Sequence, residues 1–189
     1  MVCGQLILGR RPTMRNLKLT KMTEYLSLDE VIREVDELIK EGCFDEAKTE
    51  LENLLFDEPG FGKAHAYLGW LYLNPLSDSK RASTHFEFAI KFDPAFPGAY
   101  INYSLLLIEQ RNAERLIDLL LKARLVEECD AVFVEEHLGK AYELKGEFKK
   151  AIAAYKSALK LTVESWQGEE LQAHINRVRK KRWTAFWSW

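Results

Sequence analysis

Residues 138–163 read LGKAYELKGEFKKAIAAYKSALKLTV, and this stretch decides the fold. Its first half sets a small residue between bulky apolar ones, namely Leu138, Gly139 and Tyr142. Its second half repeats small and aromatic residues at helical spacing, namely Ala151, Tyr155 and Ala158. Gly146 lies between the halves, where glycine ends a helix because it tolerates left-handed backbone angles. The stretch therefore predicts two helices joined by a tight turn.

The same pattern recurs along the chain. The second-helix motif starts at four positions spaced 34 or 35 residues apart, namely Ala47, Ala82, Leu116 and Ala151. The first-helix motif precedes three of these starts, as Leu68-Gly69-x-x-Tyr72, Tyr103-Ser104-x-x-Leu107 and Leu138-Gly139-x-x-Tyr142. A fixed period of this length is typical of proteins built by stacking one supersecondary unit.

The period and these motifs resemble the tetratricopeptide repeat (TPR) family over about residues 28 to 165. The resemblance implies an all-α protein, a right-handed solenoid of about four TPR helix pairs with a C-terminal capping helix. The repeats are expected within 27–165, at approximately 28–61, 62–96, 97–130 and 132–165. The segment 166–189 then holds the capping helix and a tryptophan-rich tail, and the count of helices is nine.

Small residues set how closely the helices of a pair approach. Gly69 and Gly139 leave room for a close crossing, which bulkier side chains would prevent. The first and third repeats depart from the pattern, with Val35 in place of the small residue of the first helix and Leu116 in place of alanine. We therefore expect a wider crossing in the third repeat.

The array is expected to begin at Ser27, because Ser27-Leu28-Asp29-Glu30 is a capping box. Residues 1–26 precede it as a basic leader, with no acidic residue up to Lys21. The leader is a disordered segment, sequence upstream of a true start at Met14 or Met22, or a weak organellar presequence, and we prefer the first two. Its longest apolar run, Leu6-Ile7-Leu8, is too short for a signal peptide or a membrane span, so we predict a cytoplasmic protein.

The composition and net charge of the chain bear on the class of partner that it binds. The 189 residues carry a net charge of -2 and a pI near 6.1, so no overall positive field would attract nucleic acid. The partner we expect is another protein of unknown identity.

The TPR resemblance implies a binding groove lined by the first helix of each pair. The positions it assigns to partner binding are Tyr67, Trp70, Ile101, Asn102, Leu105, Phe133, His137 and Lys140. These residues suit a peptide or an amphipathic segment, with Tyr67 and Trp70 as anchors. Packing of Trp70 between repeats is the alternative. The family's clamp for acidic C-termini is not expected, because its positions hold Ile32, Asp36, Tyr67, Gly98 and Asn102.

The C-terminus joins a basic run to aromatic residues. After the cations of 177–182 come four candidates for tail docking: Trp183, Phe186, Trp187 and Trp189. Cations followed by tryptophans are typical of a segment lying on a membrane surface. The alternative, which we prefer, is that Trp183 and Phe186 continue the apolar stripe of Leu171 and pack on the fourth repeat. A subunit recruited to a membrane-associated assembly by this tail is the second hypothesis for function.

Catalytic motifs are missing from the sequence. The four histidines fall one per predicted helix, and no zinc-protease, phosphate-loop or serine-hydrolase motif is present. The cysteines Cys3, Cys43 and Cys129 lie too far apart for a C-x-x-C metal site. Glu135, Glu136 and His137 are expected on a solvated polar face. We predict no enzyme, catalytic residue, cofactor or metal.

Overall fold

The computed structural model describes residues 27–187, and side chains within that range as far as residue 184. This part of the chain contains nine helices and no strand. In chain order they are α1 Leu28–Lys40, α2 Phe44–Asp57, α3 Gly62–Leu73, α4 Ser79–Phe92, α5 Pro97–Glu109, α6 Ala113–Ala123, α7 Ala131–Leu144, α8 Phe148–Leu161 and α9 Ser165–Trp187. The predicted all-α class and the predicted helix count are therefore confirmed for the described residues.

Local sequence signals fix where the helices begin. At Ser27 the capping box forms as expected, because the Glu30 N–H donates to the Ser27 Oγ at 3.3 Å and the Ser27 N–H donates to the Glu30 Oε2 at 2.6 Å. Side chains of Asp78, Asn112 and Asp130 accept from backbone N–H groups at the starts of α4, α6 and α7. Each of these contacts satisfies a backbone donor that the helix itself leaves unpaired.

The tight turns use left-handed backbone angles. Gly42 and Gly146 follow α1 and α7 with φ of 77° and 80°, and the sequence predicts the turn at Gly146. In the turn after α5 the same role falls to Arg111, with φ of 53°, and Asn112 is the next helix's cap. An arginine in this conformation costs roughly 1 kcal/mol that a glycine would not.

The described residues 27–60 form one compact unit, in which α1 pairs with α2. Its core is small and apolar, with Val35, Ala47 and Leu51 fully buried.

The second unit, from Phe61 onward, contains α3 to α9. Its closest helix pairs are α3/α4 and α7/α8, where glycine faces an aromatic ring. A Cβ on Gly69 would lie 2.6 Å from the Phe86 ring, and a Cβ on Gly139 would lie 2.6 Å from the Tyr155 ring. Such a contact is too short for any atom, so only glycine permits these crossings.

The α5/α6 pair approaches less closely than these two pairs. Leu116 is fully buried in this pair, and the side chains of the first helix also affect the spacing of the two helices. Ser104 stands where the other two pairs have glycine, and Leu120 stands where they have an aromatic ring. Ser104 on α5 is larger than the glycine of the other pairs. It is accommodated by Leu120 on α6, which is smaller than their aromatic residues, and by a wider spacing of the two helices.

Helix α9 covers the last pair, which confirms the predicted capping helix. Leu171, Ile175 and Val178 are at most 1% exposed and pack with Tyr155 and other buried residues of α8. This stripe continues the core across the end of the array, where an uncovered apolar face would be unstable in water.

Beyond Val178 the preferred prediction for the tail is wrong at Trp183, whose side chain is 59% exposed instead of packed on the fourth repeat. The side chains of Phe186, Trp187 and Trp189 lie outside the described part, as does the leader at residues 1–26. Within the described residues, none of the helices combines the length and apolar character needed to cross a bilayer.

Candidate functional site

The first helices of the last three pairs are neighbours in the second unit. Helix α3 contacts α5 directly, with Ala66 and Ala99 in one buried cluster. Residues of α5, α7 and α9 line one common cleft. The side of this row that carries the predicted binding residues is called the groove from here on.

Helical spacing gives the groove two parallel stripes. On α5, Ile101, Leu105 and Ile108 follow one another at four and three residues, so they share a face. On α7, Phe133, His137 and Lys140 do the same. Both stripes end at the cleft, because Ile108 and Lys140 are among its lining residues.

Apolar surface is available along the groove. Leu105, at the middle of α5, is 43% exposed although leucine is usually buried. Ile101 and Phe133 are half-buried beside it on the same stripes, and Tyr67 and Trp70 are half-buried on α3. The half-buried state of Trp70 is compatible with both sequence alternatives, presentation to a partner and packing between repeats.

Two of the polar residues predicted to bind the partner already form hydrogen bonds within the protein. The Asn102 side-chain amide donates to the Gly98 carbonyl oxygen at 2.9 Å. His137 is only 7% exposed, and its ring stacks on Phe133 with centroids 3.8 Å apart. The His137 Nδ1–H donates to the Phe133 carbonyl oxygen at 2.8 Å. Burial, helped by the charge of Lys140, lowers the pKa of His137 to about 4, so the ring is neutral at pH 7.

The solvated face predicted for Glu135, Glu136 and His137 is wrong. Glu135 is 8% exposed and forms an ion pair with Arg124 at the end of α6. Glu136 is also largely covered and pairs with Lys140 at 2.7 Å. These carboxylates are buried with partners, which is how proteins tolerate buried charge.

At the C-terminal ends of the groove stripes lies a cleft of about 420 Å³, here called the basic cleft. Its lining comes from α5 and the turn after it, from α7 and from α9: Ile108, Arg111, Lys140, Glu143, Leu144, His174, Arg177 and Lys181. This volume falls in the range of roughly 300–1,000 Å³ that ligand sites occupy.

Glu143 organises the cleft. Its side chain is 9% exposed and receives two hydrogen bonds from Arg177, at 3.1 and 2.7 Å, and one from Lys181 at 2.8 Å. The Tyr155 hydroxyl of α8 donates to it as well, at 3.2 Å. Burial alone would raise the pKa of Glu143, but the bonds from Arg177 and Lys181 prevail and hold it at about 2. The network therefore joins α7, α8 and α9 through one ionised carboxylate.

Charge in the cleft is unbalanced. Among its lining residues the only carboxylate is Glu143, against four cations, and the Glu136 that pairs with Lys140 is a second carboxylate nearby. In the described part of the chain, Arg111 forms no ion pair and its side chain is exposed. Two positive charges remain after these pairings.

His174 adds a neutral polar group at the edge of the cleft. Its Nδ1 is buried and has no hydrogen-bond partner within the described range. Burial first, and then the neighbouring Arg177, lower the pKa of His174. Glu170 approaches its Nε2 at 3.9 Å from the solvent side.

Helices α4, α5 and α6 enclose a second cleft, of about 770 Å³. The Tyr103 hydroxyl donates to Glu87 at 2.8 Å, and Arg115 pairs with the same carboxylate. Burial and the Glu87 hydrogen bond raise the pKa of Tyr103 to about 12, so the phenol stays protonated. These groups hold α4, α5 and α6 together.

The histidines are less scattered than the sequence suggests. His65 of α3 and His85 of α4 place their Nδ1 atoms 3.1 Å apart, with the rings among Tyr72, Phe88 and Phe92. Between residues 27 and 187, however, no three His, Cys, Asp or Glu side chains are arranged to hold a metal ion.

Sequence reasoning found Lys140 but missed the rest of the basic cleft. The sequence pattern of the basic run 177–182 is typical of a membrane-facing segment, whereas Arg177 and Lys181 donate hydrogen bonds to Glu143 of α7. The one available signal was the spacing of four residues between Arg177 and Lys181, which sets both on one face of α9.

Comparison with solved structures identifies the architecture. PilF of Pseudomonas aeruginosa is similar with a TM-score of 0.67 and 21% identity, covering 82% of this chain and 68% of its own. MamA of Desulfovibrio magneticus, residues 41 to the end, gives a TM-score of 0.61 and 19% identity, covering 82% and 94%. A TPR protein of Thermus thermophilus gives 0.57 and 22%, covering 82% and 83%. At these identities the likeness establishes the fold. No family model and no curated protein matches the sequence.

Proposed function

We propose that this chain, which has the fold of TPR proteins, is a non-catalytic scaffold that binds an apolar or amphipathic segment of a partner protein in the groove. Helix-pair solenoids bind extended ligands along the surface formed by successive first helices. The observation that carries the proposal is Leu105, a leucine 43% exposed at the middle of that surface. Half-buried apolar residues flank it on its own helix and on α7.

Leu105 has a matched counterpart for an experiment. Leu121 of α6 is 42% exposed, almost the same fraction, but it lies on the second helix of the same pair. A photo-reactive phenylalanine analogue at position 105 should cross-link to the partner in cells, and the same analogue at position 121 should not. Mass spectrometry of the cross-link then gives the partner and the contacted segment.

Binding of the purified partner segment completes the test. Leu105→Asp should weaken it at least about tenfold, because a carboxylate would be desolvated against apolar surface. Leu121→Asp should bind like the wild type. The Tyr67→Ala, Trp70→Ala double variant should also bind weakly while keeping its helical circular dichroism. Equal cross-linking at positions 105 and 121 would place the interface elsewhere and refute the groove.

The exposed end of α9 supports a second candidate function, recruitment to an anionic membrane surface. Past Val178, described residues Arg179, Lys180 and Arg182 are exposed, and so is most of Trp183. Cations and an exposed tryptophan together suit a headgroup layer. Co-sedimentation with phosphatidylserine vesicles should fall on deletion of residues 183–189 and stay unchanged in Trp166→Ala, another exposed tryptophan on the same helix. Equal sedimentation of the deletion and the wild type would eliminate this candidate.

A further inference from the structure

The basic cleft continues the groove and differs from it in chemistry. The stripes of α5 and α7 are apolar over Ile101, Leu105 and Phe133 and reach the cations only at their C-terminal ends. A segment lying along the groove would therefore leave apolar surface and meet Arg111, Arg177 and Lys181.

The internal ion pairs of the protein do not neutralise all of the positive charge of the basic cleft. Glu143 is bonded by both Arg177 and Lys181, so one carboxylate faces two cations. Arg111 projects from the turn with no ion pair in the described part of the chain, at a backbone position where Gly42 and Gly146 serve after α1 and α7. Within the described residues, the Arg111 side chain therefore forms no ion pair that would favour arginine over glycine at this strained position.

We propose that the basic cleft binds an acidic stretch of the partner, adjacent to the apolar segment that occupies the groove; this rests on the proposed function. Two or more Asp or Glu side chains would complete the network, with Arg111 free to form a bidentate pair and Lys181 able to share its ammonium between Glu143 and the ligand. The partially covered setting, where Glu143 is 9% exposed, strengthens such pairs relative to bulk water. None of Arg111, Arg177 and Lys181 stands at the positions that the TPR resemblance assigns to the family's clamp for acidic C-termini.

The probe is a fluorescein-labelled peptide of alternating leucine and serine followed by a run of glutamates. A matched peptide ends in glutamines. Fluorescence anisotropy with the full chain should give clearly tighter binding for the glutamate peptide, and the difference should shrink as salt is added, because exposed charges are screened.

Arg111→Gln tests the cleft with little risk to the fold, since its side chain is exposed. Affinity for the glutamate peptide should fall about tenfold, while affinity for the glutamine peptide stays the same. Arg111→Gly should lose the same affinity although it relieves the left-handed strain, so its melting temperature should not be lower than that of the wild type. Lys149→Gln, which removes an exposed cation of α8, is the matched control and should bind both peptides normally.

The outcomes separate the two proposals. If both peptides bind equally, or Arg111→Gln has no effect, the acidic-segment proposal is wrong, and a loss of glutamine-peptide binding in Leu105→Asp would still support the groove. If the glutamate peptide fails to bind and Arg111→Gln instead weakens binding to phosphatidylserine vesicles or to an RNA oligonucleotide, the cleft belongs to a different class of ligand and the proposal is overturned.

Discussion

At the residue scale, the space left by single side chains sets the spacing of the helix pairs. Gly69 and Gly139 admit an aromatic ring against the backbone, and the pairs that contain them are the closest among the described helices. Ser104 occupies the corresponding position of the third pair with its Oγ buried and without a hydrogen-bond partner in the described part of the chain. At this position of the first helix, two pairs therefore have glycine facing an aromatic ring, and the third has serine and a wider spacing.

Gly139→Ala is expected to destabilise the protein by about 1–3 kcal/mol, because its methyl group would overlap the Tyr155 ring, which is fully buried and cannot move aside. Ser104→Ala is expected to raise stability by about 1 kcal/mol, since it removes a buried hydroxyl that has no partner in the described structure. Urea denaturation measures both. A neutral Gly139→Ala would contradict the packing explanation, and a destabilising Ser104→Ala would mean that the hydroxyl has a partner.

At the element scale, α9 is held by two interactions of different kind. Its apolar stripe, Leu171 to Val178, is buried against α8, and each buried aliphatic side chain contributes roughly 1.5–3 kcal/mol before entropy is counted. Its basic face is held by Glu143. The first interaction makes α9 a cap, and the second aligns its cations at the end of the groove.

The Glu143 network predicts acid sensitivity with a definite sign. Its folded-state pKa of about 2 lies below the ordinary 4.5, so the ionised carboxylate stabilises the fold above about pH 4.5, and this contribution is lost as the pH falls toward 2. Because Arg177 and Lys181 are about half exposed, solvent screening limits the contribution to about 2 kcal/mol.

Glu143→Gln should therefore be less stable than the wild type at pH 7, with the two converging near pH 2. Urea denaturation followed by circular dichroism across this pH range checks the expectation, and Glu169→Gln, an exposed carboxylate on α9, serves as the control. A stability difference that does not change with pH would show that Glu143 acts through packing instead of charge.

At the scale of the whole molecule, stability is expected to differ along the array. In repeat proteins each pair is stabilised by its own packing and by its immediate neighbours, so end pairs tend to open first. Pair α1/α2 is the first in chain order and its helices approach less closely than those of α7/α8, whereas α7/α8 has the Gly139 contact and the α9 cap.

Hydrogen exchange should reveal this gradient. Backbone amides of α1 and α2 are expected to exchange at least about tenfold faster than those of α7 and α8, because local opening there exposes less apolar surface. Mass spectrometry of peptic fragments at neutral pH measures the rates. Uniform protection across all pairs would instead mean that the chain unfolds as a single cooperative unit.

The sequence by itself determined the helix pairs, their turns and the capping helix, because the signals are local. A capping box at Ser27, glycines that permit positive φ and a small residue at each crossing act within a few residues of where they stand. The same reasoning failed for Glu135 and His137, whose burial is imposed by α6 and by the Phe133 ring. It failed again at Trp183, since α9 continues beyond its last buried residue.

The basic cleft is evident only from the tertiary structure. Arg111 stands in a turn, Glu143 lies in the last turn of a first helix and Arg177 belongs to the cap, and the last two are 34 positions apart in the sequence. No periodicity links these positions, so no sequence pattern marks them as neighbours. They meet because α5, α7 and α9 all face one cleft, and the charge of the cleft is a property of that arrangement, which none of the three helices carries alone.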